Sequence, residues 1–284
     1  MKTKIQWHPA FASAMDLELI QNREDLIYER EHNLNTKPLE IDLLVIKKEH
    51  SVRIINEIGA LFKGHNILEY KSPEDHLDID TFYKSMAYAC LYKSYGKEVN
   101  EIRADDVTVS IIREKKPTGL FSYFREQNYS VTSPYKGIYY IEGKIMFPTQ
   151  IVVTKELEEG HHKWLKALSG QLGRENFYEL LESRKMLAKK ADQELADSIL
   201  EVCIGANRQL LEELKGDDNV YEALMEILEP RIKQREEKIR KEEQEKGIQG
   251  TIVALRDLGI EGSQIKASIM KAYKLSEDEA EEYL

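Results

Sequence analysis

Ile67-Leu68-Glu69-Tyr70-Lys71-Ser72-Pro73 is the stretch on which the fold of this chain turns. It fits a short strand, whose side chains point to opposite faces in turn. Glu69 and Lys71 then share one face, while Leu68 and Tyr70 take the other. A carboxylate and an ammonium on an otherwise apolar strand cost desolvation energy unless they are paired or used. The stretch is therefore a sheet element and a candidate site at once.

Upstream, Leu39 to Lys48 contains Ile41, Leu43, Leu44, Val45 and Ile46, the composition of a buried central strand. Asp42 interrupts it, and an aspartate inside such a run is unusual. Asp25 to Asn33 alternates in part and predicts another strand, followed by the turn cluster Asn35-Thr36-Lys37-Pro38. His8-Pro9 opens a helix from Ala10 to Gln21, with Pro9 suited to its first turn. Phe11, Ala14, Met15 and Glu18 fall on one face of that helix. Glu18 is either an edge residue reaching water or a site carboxylate. Val52 to Glu57 reads as a further short strand, and Gly59 to Asn66 as a turn or short helix.

Downstream, Asp78 or Asp80 caps a helix to about Tyr95, with Ile79, Phe82, Tyr83, Met86 and Cys90 as its apolar stripe. Gly96 ends it. Val107 to Ile112 is a β-branched strand with Arg113, Lys115 and Lys116 at its exit. Gly119 to Gln127 predicts a short helix. A hairpin then sets Ile138–Ile141 against Ile145 and beyond, turning at Glu142-Gly143, with Pro148 as an edge or break.

From Glu156 the pattern is helical throughout, broken at Gly216-Asp217-Asp218-Asn219 and resumed from Tyr221 to Leu228. Arg231 to Lys246 mixes both signs of charge, as a solvated helix or linker does. The tail predicts three short helices, the last opened by a Ser276/Glu279 capping box. They suit a small packing or assembly module, or a helix-turn-helix-like one. The expected division is residues 1–155 as an α/β core with an appended hairpin, 156–230 as a helical region, and 231–284 as charged linker and tail.

Composition narrows the function classes. Charged residues make up 32% of the 284 and hydrophobic ones 42%, with a net charge of −10. That balance argues against tight, indiscriminate nucleic-acid binding, which rests on Lys and Arg. The first 117 residues carry 17 basic and 20 acidic side chains, so a local basic groove there is compatible with the count. No apolar run approaches the ~20 residues that cross a bilayer, and the basic start leads into no signal-peptide core. Cys90 and Cys203 have no zinc-ligand spacing and read as buried thiols, from which a cytoplasmic location follows. His161 and His162 have no acidic or cysteine partner at ligand spacing and read as surface residues. No GxSxG occurs.

Asp42 and Glu69 on adjacent central strands suit a shared divalent cation with oxygen ligands. Mg²⁺ in particular takes few carboxylates, several waters and substrate phosphate oxygens. Such an ion polarises phosphorus and acidifies a bound water. Lys71 beside it is placed to orient that water or to neutralise developing charge.

Asp42 in "LEIDLLVI", then "ILEYKSP", on a helix–strand–strand–strand–helix–strand order, resembles the PD-(D/E)XK nuclease superfamily. Phe82-Tyr83-Lys84 with Tyr88 to Lys93, and the helical tail, look like its Rpn-type, transposase-related branch. The resemblance covers about the first 115 residues. It implies an αβββαβ restriction-endonuclease-like core with a mixed central sheet, followed by an all-helical C-terminal region. It implies Asp42, Glu69 and the Tyr70 backbone carbonyl as metal ligands, Lys71 as the assisting lysine, and Glu18 as the first-helix glutamate. It further implies Mg²⁺, with Mn²⁺ as a substitute, DNA as substrate, and a role in recombination, mobile elements or defence. The family's proline before the aspartate is absent, since Ile41 stands there. Lys84 and Tyr88, one turn apart, are candidate phosphate contacts, or a surface lysine and a core-edge tyrosine. A homodimer through the helical region is compatible with such an enzyme. The second reading is a binding or assembly protein that keeps the fold with little activity.

Overall fold

In a computed structural model of the chain, helix α1 (Trp7–Glu18) leads into strands β1 (Leu26–Asn33), β2 (Glu40–Lys47) and β3 (His65–Lys71). Helix α2 (Ile79–Ser94), strand β4 (Val107–Arg113) and helix α3 (Thr118–Glu126) follow. Strands β5 (Ser130–Tyr135), β6 (Ile138–Glu142) and β7 (Thr149–Val153) complete the sheet, and helices α4 (Lys163–Lys166), α5 (Arg174–Met186) and α6 (Lys190–Ala206) come after it. The structure describes residues 6–33, 40–158, 160–207, 209, 210, 212, 240 and 244–283. The expected turn at 35–38, the break at 216–219, the helix at 221–228 and most of the charged run at 231–246 lie outside these residues.

The sheet is seven-stranded and mixed, in the order β1-β2-β3-β4-β7-β6-β5. β3–β4 and β4–β7 pair in parallel, and the other neighbours are antiparallel. The protein is thus an α/β fold. Among the described residues every element after β7 is helical.

β4 lies in the middle, and all its residues except Arg113 are buried. That is why it reads as a continuous apolar run rather than an alternation. The polar exceptions are satisfied. Asn66 donates to the carbonyls of Val45 and Lys63 and accepts from the Lys63 N–H and the Thr108 hydroxyl. Ile67, Val109 and Ile111 pack with Phe82, Tyr88, Phe121 and Phe124 of α2 and α3. On the other face Tyr70 stacks on Phe11 of α1, ring centroids 4.9 Å apart. The strand alternation expected for Leu68 to Lys71 is therefore observed. Asp78 caps α2 by accepting the Thr81 N–H.

Two local expectations are corrected. Val52 to Glu57 is not a strand. The Asn56 side chain caps a 3-10 helix at Glu57–Leu61, and the Ile55 N–H is taken by Asn22 Oδ1. Gly59 approaches Ile54 so closely that a Cβ there would lie 2.2 Å from Ile54 Cγ2. Asn56 Nδ2 also donates to the Glu18 carbonyl at 3.0 Å, which ties this segment to the end of α1. In the C-terminal half of the sheet, β6 pairs not only with its successor, which begins at Thr149, but with β5 as well. β5 is exposed along most of its length and contains Pro134, so it lacks the apolar alternation that marks a strand.

α1 packs against α4 and α6. The helices from 156 to 206 accordingly belong to the same compact unit as the sheet, residues 1–220, and residues 221–284 form a second unit. In that unit, helical residues 244–257 join α7 (Gly262–Tyr273) and α8 (Glu277–Glu281) around Ile248, Ile252, Ile265, Ile269 and Ala280. The expected capping box at Ser276 and Glu279 is present. Cys203 is buried and Cys90 half-buried, both as free thiols. Among the described residues no helix is long and apolar enough to cross a membrane.

Phe11→Ala removes the stack on Tyr70 and leaves a cavity beside the central strands. It is expected to lower stability by about 3–5 kcal/mol in urea denaturation, whereas exposed Val99→Ala changes it by less than about 0.5 kcal/mol.

Candidate active site

β2 and β3 pair as far as Leu43 and Leu68. Continuing that register sets Asp42 opposite Glu69, where the ladder gives way to a side-chain contact. Asp42 Oδ2 accepts the Tyr70 N–H at 2.8 Å. In an antiparallel pair the N–H and C=O of one residue point to the same neighbour, so the Tyr70 carbonyl also faces the strand that carries Asp42. Lys71 Nζ lies 3.4 Å from Glu69 Oε2. Asp42, Glu69, Lys71 and the Tyr70 carbonyl therefore gather at one end of two central strands, as their sequence positions predicted.

The electrostatics are strained in one direction. Glu69 is 3% exposed, and its Oε1 is buried without a hydrogen-bond partner. Burial, then the charge of Asp42, raises its pKa from 4.5 to about 7, with Lys71 and the Asp42 N–H pulling the other way. Asp42 is also raised, by burial first, although His8, the Tyr70 N–H and Lys71 oppose the shift. His8 Nε2 sits 3.7 Å from Asp42 Oδ1 at the first turn of α1. A half-buried carboxylate, Asp42, that raises its buried neighbour Glu69, which has an idle oxygen, could together with it hold a divalent cation. The cation would relieve the repulsion and use the idle oxygen. Among the described residues no group of three or more His, Cys, Asp or Glu side chains suits a metal. Asp42, Glu69 and the Tyr70 carbonyl are the residues that could hold such an ion, and Mg²⁺ is content with so few protein ligands.

The remaining expected residues fall elsewhere. Glu18 closes α1, ten residues beyond His8, or about 15 Å along the axis. It does not join Asp42. Its carboxylate receives His162 Nδ1 at 3.1 Å, the Leu165 N–H at 3.3 Å and Asn56 Nδ2 at 3.4 Å. His162 is correspondingly not a surface residue. Its side chain is 3% exposed, and its Nε2 meets Glu57 Oε2 at 3.3 Å. Its partners Glu18 and Glu57 are remote in sequence, so local spacing held no trace of them. His161 is exposed, as expected. Tyr88 is buried in the core beneath α2, and Lys84 reaches over its ring, Nζ 5.6 Å from the centroid. Tyr88 therefore serves packing, and only exposed Lys84 is free to meet a phosphate.

Two neighbours of the site carried no functional signal in sequence. His8 was visible only as a helix start. Arg113, whose register partner is Lys71, was visible only as one of three cations at a strand exit.

Burial opposes the charge on His162, but Glu18 and Glu57 outweigh it and raise its pKa above 6.5. Its contribution to stability is thus complete below about pH 6.5 and is lost as pH rises through the raised value. His162→Ala is expected to cost on the order of 3 kcal/mol at pH 6 by leaving two carboxylates without their cation. The difference from wild type should narrow at pH 9, as read from thermal melts.

No family model, no curated protein and no solved structure matches the chain.

Proposed function

We propose that the chain is a metal-dependent nuclease of the PD-(D/E)XK type, hydrolysing phosphodiester bonds of DNA. The single observation that carries this is the facing pair Asp42 and Glu69, with the idle Glu69 Oε1 and Lys71 two residues on. The element order α1-β1-β2-β3-α2-β4, with both carboxylates at one end of the central strands, agrees with the resemblance read from "LEIDLLVI" and "ILEYKSP". The Rpn-type branch, DNA as substrate, a role in recombination or defence, and a dimer through the helices rest on that resemblance alone.

Asp42 and Glu69 would hold the divalent cation, with the Tyr70 carbonyl turned the same way. When bound, the ion supplies Lewis acidity toward a phosphoryl oxygen and lowers the pKa of a water. Lys71, 18% exposed at its side chain, is tied to the central sheet at its base and meets Glu69 Oε2 at its tip. With one donor turned to Glu69, its ammonium keeps others that can donate to the attacking water or offset the negative charge that grows on phosphorus in the transition state. Glu69 must shed its proton to act as a ligand, because ligation and protonation compete for the same oxygens. Burial of the pair excludes bulk water, which strengthens each of these interactions.

The test is plasmid nicking with Mg²⁺ or Mn²⁺. Asp42→Ala, Glu69→Gln and Lys71→Ala should each lower the rate by at least about a hundredfold. Glu18→Gln should lower the melting temperature while leaving nicking within a few-fold of wild type. Equal activity in wild type, Asp42→Ala and Lys71→Ala would mean that this site does not cut. If purified wild type binds DNA without cutting it under any divalent ion, the assembly-protein reading takes over.

A second readout needs no substrate. The native pKa of Glu69, about 7, exceeds its ordinary 4.5. The metal-free protein should therefore lose stability as pH rises between those values, by on the order of 3 kcal/mol. Mg²⁺ should raise the melting temperature at pH 8 and have little effect at pH 5. Glu69→Gln should abolish both trends.

A further inference from the structure

Arg113 ends β4 directly beside Lys71, its partner in the parallel register. Its guanidinium is half-buried, and Nε is buried without a hydrogen-bond partner. Burial depresses its pKa, and the charges of Glu114 and Asp75 only partly offset that. Each carboxylate also has other partners. Asp75 accepts the N–H and hydroxyl of Ser72, and Glu114 accepts the Ser169 hydroxyl. A guanidinium offers five donors in a rigid fork matched to phosphate oxygens. Leaving such a group partly desolvated and unpaired is unfavourable.

Arg113 is among the residues that line a cavity of about 460 Å³ between the loop after β3 and the start of α3. His76, Lys116, Thr118 and Gly119 line it too. Its one carboxylate, Asp78, is engaged in capping α2. Lys116 spends one of its three donors on the Tyr139 hydroxyl, whereas Arg113 has a buried Nε with no partner. The cavity opens at the C-terminal ends of parallel strands, where α/β sheets receive ligands. Two residues along β3 and one strand across put the Arg113 backbone about 8 Å from that of Glu69.

We propose that this cavity binds a phosphate group of a nucleic-acid strand, with Arg113 as its clamp, next to the Asp42–Glu69 site. The identity of the ligand as a strand rests on the nuclease reading above. The positive lining and the unpaired guanidinium are independent of it. One strand thus runs past the carboxylates and is gripped by Lys71 and Arg113 in succession.

The experiment uses the full chain in Ca²⁺, to suppress cleavage, and a fluorescent 12-nucleotide DNA strand, with affinity measured across a salt series. Arg113→Gln should weaken binding about tenfold and reduce the slope of log affinity against log salt by about 0.7, the loss of one phosphate contact. Arg113→Lys should restore part of both. The Nε–Hε resonance of Arg113 in wild type should move on adding the strand, and less on adding inorganic phosphate at equal concentration. A melting temperature for Arg113→Gln at or above wild type shows that the change removed a binding group and not a structural one. A lower melting temperature with unchanged affinity and slope overturns the proposal, as does a resonance that follows phosphate but ignores the strand. If the strand binds through Arg113 but Mg²⁺ yields no nicking, the clamp stands and the nuclease reading fails. If nicking depends on Asp42 while Arg113→Gln binds like wild type, the reverse holds.

Discussion

The charge of half-buried Asp42 against buried Glu69, where β2 and β3 part, is the constraint on which the site depends. The ladder pairs Leu43 with Leu68 and goes no further. In the next position the Asp42 side chain replaces a backbone acceptor and takes the Tyr70 N–H. The carboxylate therefore keeps β3 in place while being held close to its rival. Tyr70 is fixed from the other side by its stack on Phe11. Lys71 beside Glu69 and His8 beside Asp42 offset part of the charge.

Helix α1 serves both ends of this arrangement. His8 stands near Asp42 at its start, while Glu18 at its end receives His162 and the Leu165 N–H. Between them, Arg23 just after the helix joins Asp16 to Asp192 of α6. Buried ion pairs are weak evidence for stability, because desolvation offsets much of their attraction. They do fix geometry, and here they fix the helices after 156 to the helix that covers Tyr70. That is the physical reason the helical region is part of the first unit and not a separate body.

How much of this could be read from sequence follows from how far each signal reaches. The apolar runs around Asp42 and Glu69 marked their own strands, because a central strand must be apolar on both faces and any charge within it stands out. The alternation at residues 68–71 fixed which side chains meet. Glu18 and His162 were invisible as a pair, since they lie on segments joined only by tertiary packing. Glu18 was assigned to the site through the resemblance, its helical stripe having left it open, because a stripe gives the face of a residue but not its height along the axis. β5 was hidden for a different reason. Its exposed residues bury too little to leave a period. The idle Oε1 of Glu69 and the lone Nε of Arg113 are properties of surroundings that no local pattern encodes.

The two strands at the ends of the sheet order bear on solubility. β1 carries Glu29, Arg30, Glu31 and His32 in succession, and Glu31 adopts a left-handed φ of 49° between the residues paired with Leu43 and Ile41. β5 contains Pro134, where its register with β6 shifts. A charged, locally kinked strand at one end and a proline-bearing, irregular one at the other are poor templates for a further strand. An open sheet of this width can thus keep an apolar, two-sided centre without inviting other chains to extend it.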